Sequence, residues 1–150
     1  MKYVFNKDFR DFLKALNDNS VAYLLVGGYS VILHGYARNT GDMDLWVKKS
    51  EANYQKLAKA FFDFKMPVFD MTEDAFLNNP DFDVFTFGRP PVAIDIMTSV
   101  KGLDFDECFL NAQHKAAGEL QIRLLSLSDL LKAKKASGRP KDIDDISYLS

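Results

Sequence analysis

The sequence predicts an α+β chain: a mixed sheet of about four or five strands, helices packed on one side of it, and a helical C-terminus. Three observations support this. Apolar runs at residues 23–26 and, interrupted by Asp95, 92–97 have the length of buried strands, and residues 120–125 read as another strand. Between them, Asn6, Ser50 and Thr72 stand as N-caps before stretches whose apolar residues recur at helical spacing. From Ser126 onward the pattern is helical only, with a serine start, a stop at Gly138 and a restart at Pro140.

The elements follow in order. Asn6 caps a helix running to about Leu16 or Asn17, with Phe9, Phe12, Leu13 and Leu16 on its apolar face. A strand ends at Val26, Gly27 and Gly28 break it, and a helix runs from Tyr29 to about Gly35. A loop containing Arg38 and Thr40 leads into a second strand, residues 42–47. Ser50 caps a helix that places Tyr54, Leu57, Ala58, Phe61 and Phe62 on one side. Thr72 caps a short helix through Leu77, broken by Pro80. Residues 82–87 and 92–97 form an antiparallel hairpin about the turn at residues 88–91. A short helix from about Asp104 to Ala112 and a strand at 120–125 follow. Ser126 or Ser128 then caps a helix to Ser137, and the final helix sets Ile143, Ile146 and Leu149 on one face.

At 150 residues the chain is expected to form one domain, residues 1–150, with an aromatic-rich core built from many of its 13 phenylalanines. A formal net charge of −2 argues against a general nucleic-acid coating protein. The single cysteine, Cys108, cannot form an internal disulfide and reads as a buried small apolar residue. No apolar run reaches transmembrane length and the N-terminus does not read as a signal peptide, so a cytoplasmic location away from membranes is expected.

The chemistry concentrates in residues 24–47. A strand ending in two glycines leaves backbone N–H groups bare where no Cβ blocks an anion. The acidic strand that follows turns Asp42 and Asp44 to one face, with Met43 and Leu45 going to the core. Two carboxylates on one strand face make an oxygen-ligand site for Mg²⁺ or Mn²⁺. Asp95 lies inside the apolar strand 92–97, where a charge needs compensation. If it joins the other two, at least one of the three carboxyls carries a raised pKa when no cation is bound. Ser30 either places a hydroxyl near a bound phosphate or serves the helix start, and His34 packs or caps rather than acting as a base.

Residues 24–47 resemble the signature of the polymerase-beta-like nucleotidyltransferase superfamily, in which a hydrophobic-Gly-Gly turn precedes an Asp-x-Asp strand by about one helix. The matching parts are Val26-Gly27-Gly28 and Asp42-Met43-Asp44. Asp95 stands where the superfamily's third carboxylate stands. The segment from Ser126 to Leu149, with its leucine-rich helix, Gly138-Arg139 and Lys141-Asp142-x-x-Asp145, is similar to the tail of small bacterial and archaeal nucleotidyltransferase-like proteins. Some of these are abortive-infection toxins and others resemble antibiotic nucleotidyltransferases. The resemblance covers about half of the chain. It implies a nucleotidyltransferase fold and transfer of a nucleoside monophosphate from an NTP to a hydroxyl, with pyrophosphate released. Asp42, Asp44 and Asp95 would be the catalytic and metal-binding residues, and Gly27, Gly28, Ser30, Arg38 and Lys134 the nucleotide-binding ones. Arg38 either contacts phosphates, orients a carboxylate or faces solvent, and Lys134 either meets a triphosphate or complements a helix end. The acceptor, whether small molecule, RNA or protein, has no motif. With little chain left for a second lobe, a homodimer or a partner protein would complete the substrate wall. The alternative is a nucleotide-binding module of low activity within a toxin–antitoxin pair.

Overall fold

A computed structural model of the chain describes residues 5–36, 40–80, 83–89 and 92–150. Arg38, the start of the expected strand at Phe82 and the Pro90-Pro91 turn lie outside the described residues.

The elements run α1 (Lys7–Asp18), β1 (Tyr23–Val26), α2 (Gly27–Leu33), β2 (Met43–Val47), α3 (Glu51–Asp63), α4 (Glu73–Asn78), β3 (Val84–Arg89), β4 (Val92–Met97), α5 (Phe105–Leu110), β5 (Gln113–Ala117), β6 (Leu120–Leu124), α6 (Leu127–Ser137) and α7 (Pro140–Leu149). The side chains of Asn6, Ser50, Thr72 and Ser126 each accept a hydrogen bond from the backbone N–H three residues on, so all four cap the helices they precede. Gly138 closes α6 in the left-handed region at φ 65°.

The six strands form one sheet in the order β3-β4-β2-β1-β6-β5. β1 runs antiparallel to β2 and parallel to β6, β2 runs parallel to β4, and both outer hairpins, β3–β4 and β5–β6, are antiparallel. The mixed α+β architecture is as expected, with one more strand. The additional strand is β5, whose sequence QHKAA is mostly exposed at the sheet edge. An edge strand that buries almost nothing needs no apolar alternation, so periodicity had nothing to register.

Strand alternation sends each side chain to one of two faces. On the first face Tyr23, Leu25, Met43, Leu45, Val47, Ile94, Ile96, Ile122 and Leu124 meet α1 and α3 in the main core. Its aromatic centre is Phe12, edge-on to Phe61 at 5.3 Å and to Phe64 at 5.2 Å, with Phe61 in turn against Phe87 at 4.8 Å. Phe62 falls on the opposite side of α3 and is exposed. Asn53, fully enclosed, accepts from the Ala22 N–H and donates to the Ala22 and Lys48 carbonyls, tying α3 to the ends of β1 and β2. On the second face Leu24, Val26 and Trp46 meet α5 and α6 in a smaller core. This second face, covered only in part, is the one to which Asp44 and Asp95 point. No helix among the described residues is long and apolar enough to cross a membrane.

Candidate active site

β2 and β4 lie side by side in parallel, and their register pairs Asp44 directly with Asp95. Each is flanked in sequence by residues of the main core, Met43 and Leu45 for one, Ile94 and Ile96 for the other. The alternation that buries those neighbours fixes both carboxylates on the second face, about one strand spacing apart. Thr86, opposite Asp95 across the β3–β4 hairpin, donates from Oγ1 to Asp95 Oδ1 at 2.7 Å. Asp42 sits in the bend immediately before β2, half-buried rather than within the strand.

The crowding has an electrostatic consequence. The Asp44 carboxyl is pushed up to about 7, first by burial, then by the hydrogen bond and charge of Asp95 and the charge of Asp42, with Lys141 opposing. Among the described residues, no three carboxylate, imidazole or thiol groups converge as a ready-made metal cluster. The centre is therefore a pair, Asp44 and Asp95, with Asp42 at its margin.

Gly27 supplies the floor. It follows directly on β1, where Val26 pairs with Asp44, and its φ of 67° lies in the left-handed region. A Cβ at this position would run into Asp44 Oδ2 and lie 2.9 Å from the Asp44 Cβ, so only glycine lets the turn lie against the carboxylate. Gly28 continues as the second residue of α2. Both glycines thus fall within the first turn of the helix, which starts two residues earlier than the sequence pattern indicates. Ser30 is wholly enclosed and donates to the Gly27 carbonyl at 2.7 Å. Its hydroxyl braces the glycine turn, and Ser30 is not part of the cleft lining.

The cleft over Asp44 and Asp95 has a volume of about 480 Å³, within the usual size of small-molecule sites. Gly27 lies at its floor, and the turn after β4, including Ser99 and Lys101, forms one wall. Ser137, Arg139 and Asp142, at the α6–α7 junction, form the other. Lys134 also reaches the cleft, but it is buried between two carboxylates, 3.2 Å from Asp142 Oδ1 and 3.1 Å from Asp145 Oδ2. Arg139 grips Asp142 with both edges of its fork, Nε to Oδ2 at 2.7 Å and Nη2 to Oδ1 at 3.1 Å. Burial alone would raise the Asp142 carboxyl. Hydrogen bonds from Arg139, Ser137 and Lys134 more than offset that and hold it well below the usual carboxylate range.

This network changes which residues of α7 pack, although Leu149 still meets the smaller core. Asp142 and Asp145 face inward, while Ile143 is 61% exposed. The buried ammonium of Lys134 on α6 draws the acidic side of the helix in, and spacing of apolar residues cannot reveal such a partner. His34 donates from Nε2 to the Leu125 carbonyl at 2.7 Å, and burial lowers its pKa. Cys108 is buried, its thiol pushed up to about 12 by burial and by the neighbouring Asp129, which removes it as a nucleophile. Thr86 and Lys101 are the members of the site that sequence reading missed. Thr86 becomes visible only through the hairpin register, and Lys101 carries no motif.

A larger groove of about 880 Å³ lies between α1 and the β5–β6 hairpin. Two of its lysines are already paired on the surface, Lys7 with Asp11 and Lys14 with Asp18, and it has no counterpart to the carboxylate pair.

A family model described as "Nucleotidyltransferase of unknown function (DUF6036)" matches residues 6–149. No curated protein matches the chain.

Proposed function

The chain belongs to that nucleotidyltransferase family, and from this premise we propose that it moves a nucleoside monophosphate from an NTP to an acceptor hydroxyl in a reaction dependent on Mg²⁺ or Mn²⁺. The observation that carries the proposal is the in-register pair Asp44–Asp95 pressed against the Gly27 turn, with the Asp44 carboxyl raised to about 7. Burial and the neighbouring Asp95 and Asp42 disfavour the ionised form of Asp44, and a bound cation would relieve that. An all-oxygen donor set of this kind suits Mg²⁺, which protein sites typically hold through one or two carboxylates with substrate phosphates completing the shell. Asp44 and Asp95 would hold the cation, with Asp42 contributing from the bend. When bound, the cation supplies charge neutralisation and Lewis-acid polarisation at the transferred phosphoryl group.

The chain's own groups do the rest. Gly27 and Gly28 allow the phosphates to approach the backbone without a side chain between them. Thr86 occupies Asp95 Oδ1 and so fixes the carboxylate's orientation. The acceptor oxygen attacks the α-phosphorus, the bond to the bridging oxygen of the β-phosphate breaks, and pyrophosphate leaves. The acceptor proton passes to the Asp95 carboxylate. The acceptor is a small molecule, an RNA or a protein, and a second copy or a partner protein forms the outer wall of the cleft.

The test follows the label from an α-labelled NTP in Mg²⁺, offered total RNA, a small-molecule extract or the protein itself. The expected outcome is label on one acceptor class, lost when the metal is chelated. Label appearing only as free nucleoside monophosphate would mean water is the acceptor and the protein a hydrolase. Unchanged NTP would leave a binding module.

A further inference from the structure

From the charge balance of the cleft we infer that Lys101 is the side chain that binds the phosphate chain of the nucleotide. This rests on the nucleotidyltransferase reading and adds a residue that neither the motifs nor the family description assigns. Among the described residues, three carboxylates and three cations line the cleft: Asp44, Asp95 and Asp142 against Lys101, Lys134 and Arg139. Two of the cations are committed. Lys134 is 7% exposed and held between Asp142 and Asp145. Arg139 spends two donors of its fork on Asp142. Drawing Lys134 onto a phosphate would take an ammonium from two buried aspartates at once, and drawing Arg139 away would break its two-point hold on Asp142.

Lys101 is different. It is exposed, and among the described residues it has no hydrogen bond or ion pair. It stands on the turn after β4, four residues after Met97, on the strand that carries Asp95. The turn is braced from behind. Gly102 has φ 85°, and a Cβ there would meet the Ala136 Cβ of α6 at 3.0 Å, so the backbone lies close against that helix. Lys141 influences Asp44 electrostatically but is not part of the cleft lining. Lys101 thus stands as a free ammonium at a cleft whose carboxylate pair calls for cations. A compact ammonium serves a flexible triphosphate as a point charge and needs no bidentate geometry.

The experiment is calorimetric titration of the full chain in Mg²⁺ with each ribonucleoside triphosphate and, separately, with inorganic tripolyphosphate. It compares the parent with Lys101→Met, Lys101→Arg and the remote control Lys56→Met, with a thermal melt of each. Lys101→Met is expected to weaken both ligands about tenfold, the size of one charge-assisted contact, while melting with the parent. Lys101→Arg should keep most of the affinity, and Lys56→Met all of it. Equal affinity of Lys101→Met and a binding parent would overturn the assignment and leave the nucleotidyltransferase reading intact. Tripolyphosphate binding that depends on Lys101, without NTP binding, would uphold the phosphate site and contradict the nucleotide. A parent that binds neither ligand would overturn both.

Discussion

At Gly27 the backbone turns with φ 67° against the side chain of Asp44, and two costs follow for any other residue there. A side chain pays about 1–2 kcal/mol to hold the left-handed conformation, and its Cβ collides with the carboxylate. Gly27→Ala is therefore expected to lower the melting temperature and to weaken NTP binding more than Gly28→Ala does, because Gly28 has no positive φ. Equal effects of the two would show that the close approach to Asp44 has no bearing on the site. Thr86 acts at the same scale through a single hydroxyl. Thr86→Val keeps the shape and removes the donor, so turnover should fall about tenfold at unchanged KM, while Thr86→Ser restores it. A KM effect instead, or no rescue by serine, would make Thr86 a packing residue rather than one that positions Asp95.

Among the elements, the glycine turn and the two acidic strands were readable because their pattern is local. Val26-Gly27-Gly28, Asp44 and Asp95 each sit within a few residues of the apolar neighbours that fix their faces. The partners that complete them were not. Thr86 meets Asp95 only through the pairing of β3 with β4, and sequence periodicity gives faces but no register between strands. β5 escaped because a strand that buries nothing leaves no apolar trace. In α7 the apolar spacing put Ile143 on the packing face, but Ile143 is exposed; the helix docks through Asp142 and Asp145 onto Lys134, with Ile146 half-buried and Leu149 packed against the smaller core. That junction makes its own prediction. Lys134→Met leaves two buried carboxylates short of a partner and should cost about 3–5 kcal/mol in denaturant unfolding. A loss under about 1 kcal/mol would show that Arg139 alone holds α7 in place.

For the molecule as a whole, a sheet with a thick main core on one face and an acidic, partly covered second face ties stability to pH. The folded Asp44 carboxyl is raised from 3.8 to about 7, so the folded state keeps a proton that the unfolded chain releases earlier. Its contribution is complete below about pH 4 and is lost as pH rises through about 7. His34 works in the opposite sense. Its folded pKa is lowered, so its contribution is present above its ordinary 6.5 and is lost as pH falls through the folded value. The difference between parent and Asp44→Asn cancels the His34 effect. The variant's advantage in melting temperature without metal should grow between about pH 5 and about pH 8, and a constant difference would place Asp44 outside the crowded pair.

The central claim is that Asp44 and Asp95 act together on a nucleoside triphosphate. It is tested most directly by pyrophosphate release from γ-labelled NTP in Mg²⁺, once the acceptor class is known, in the parent, Asp44→Asn and Asp95→Asn. The parent should release pyrophosphate and little orthophosphate. Each variant should be slower by about 100-fold or more, with NTP affinity better preserved in Asp95→Asn than in Asp44→Asn. Pyrophosphate release by either variant at the parent's rate would contradict the claim.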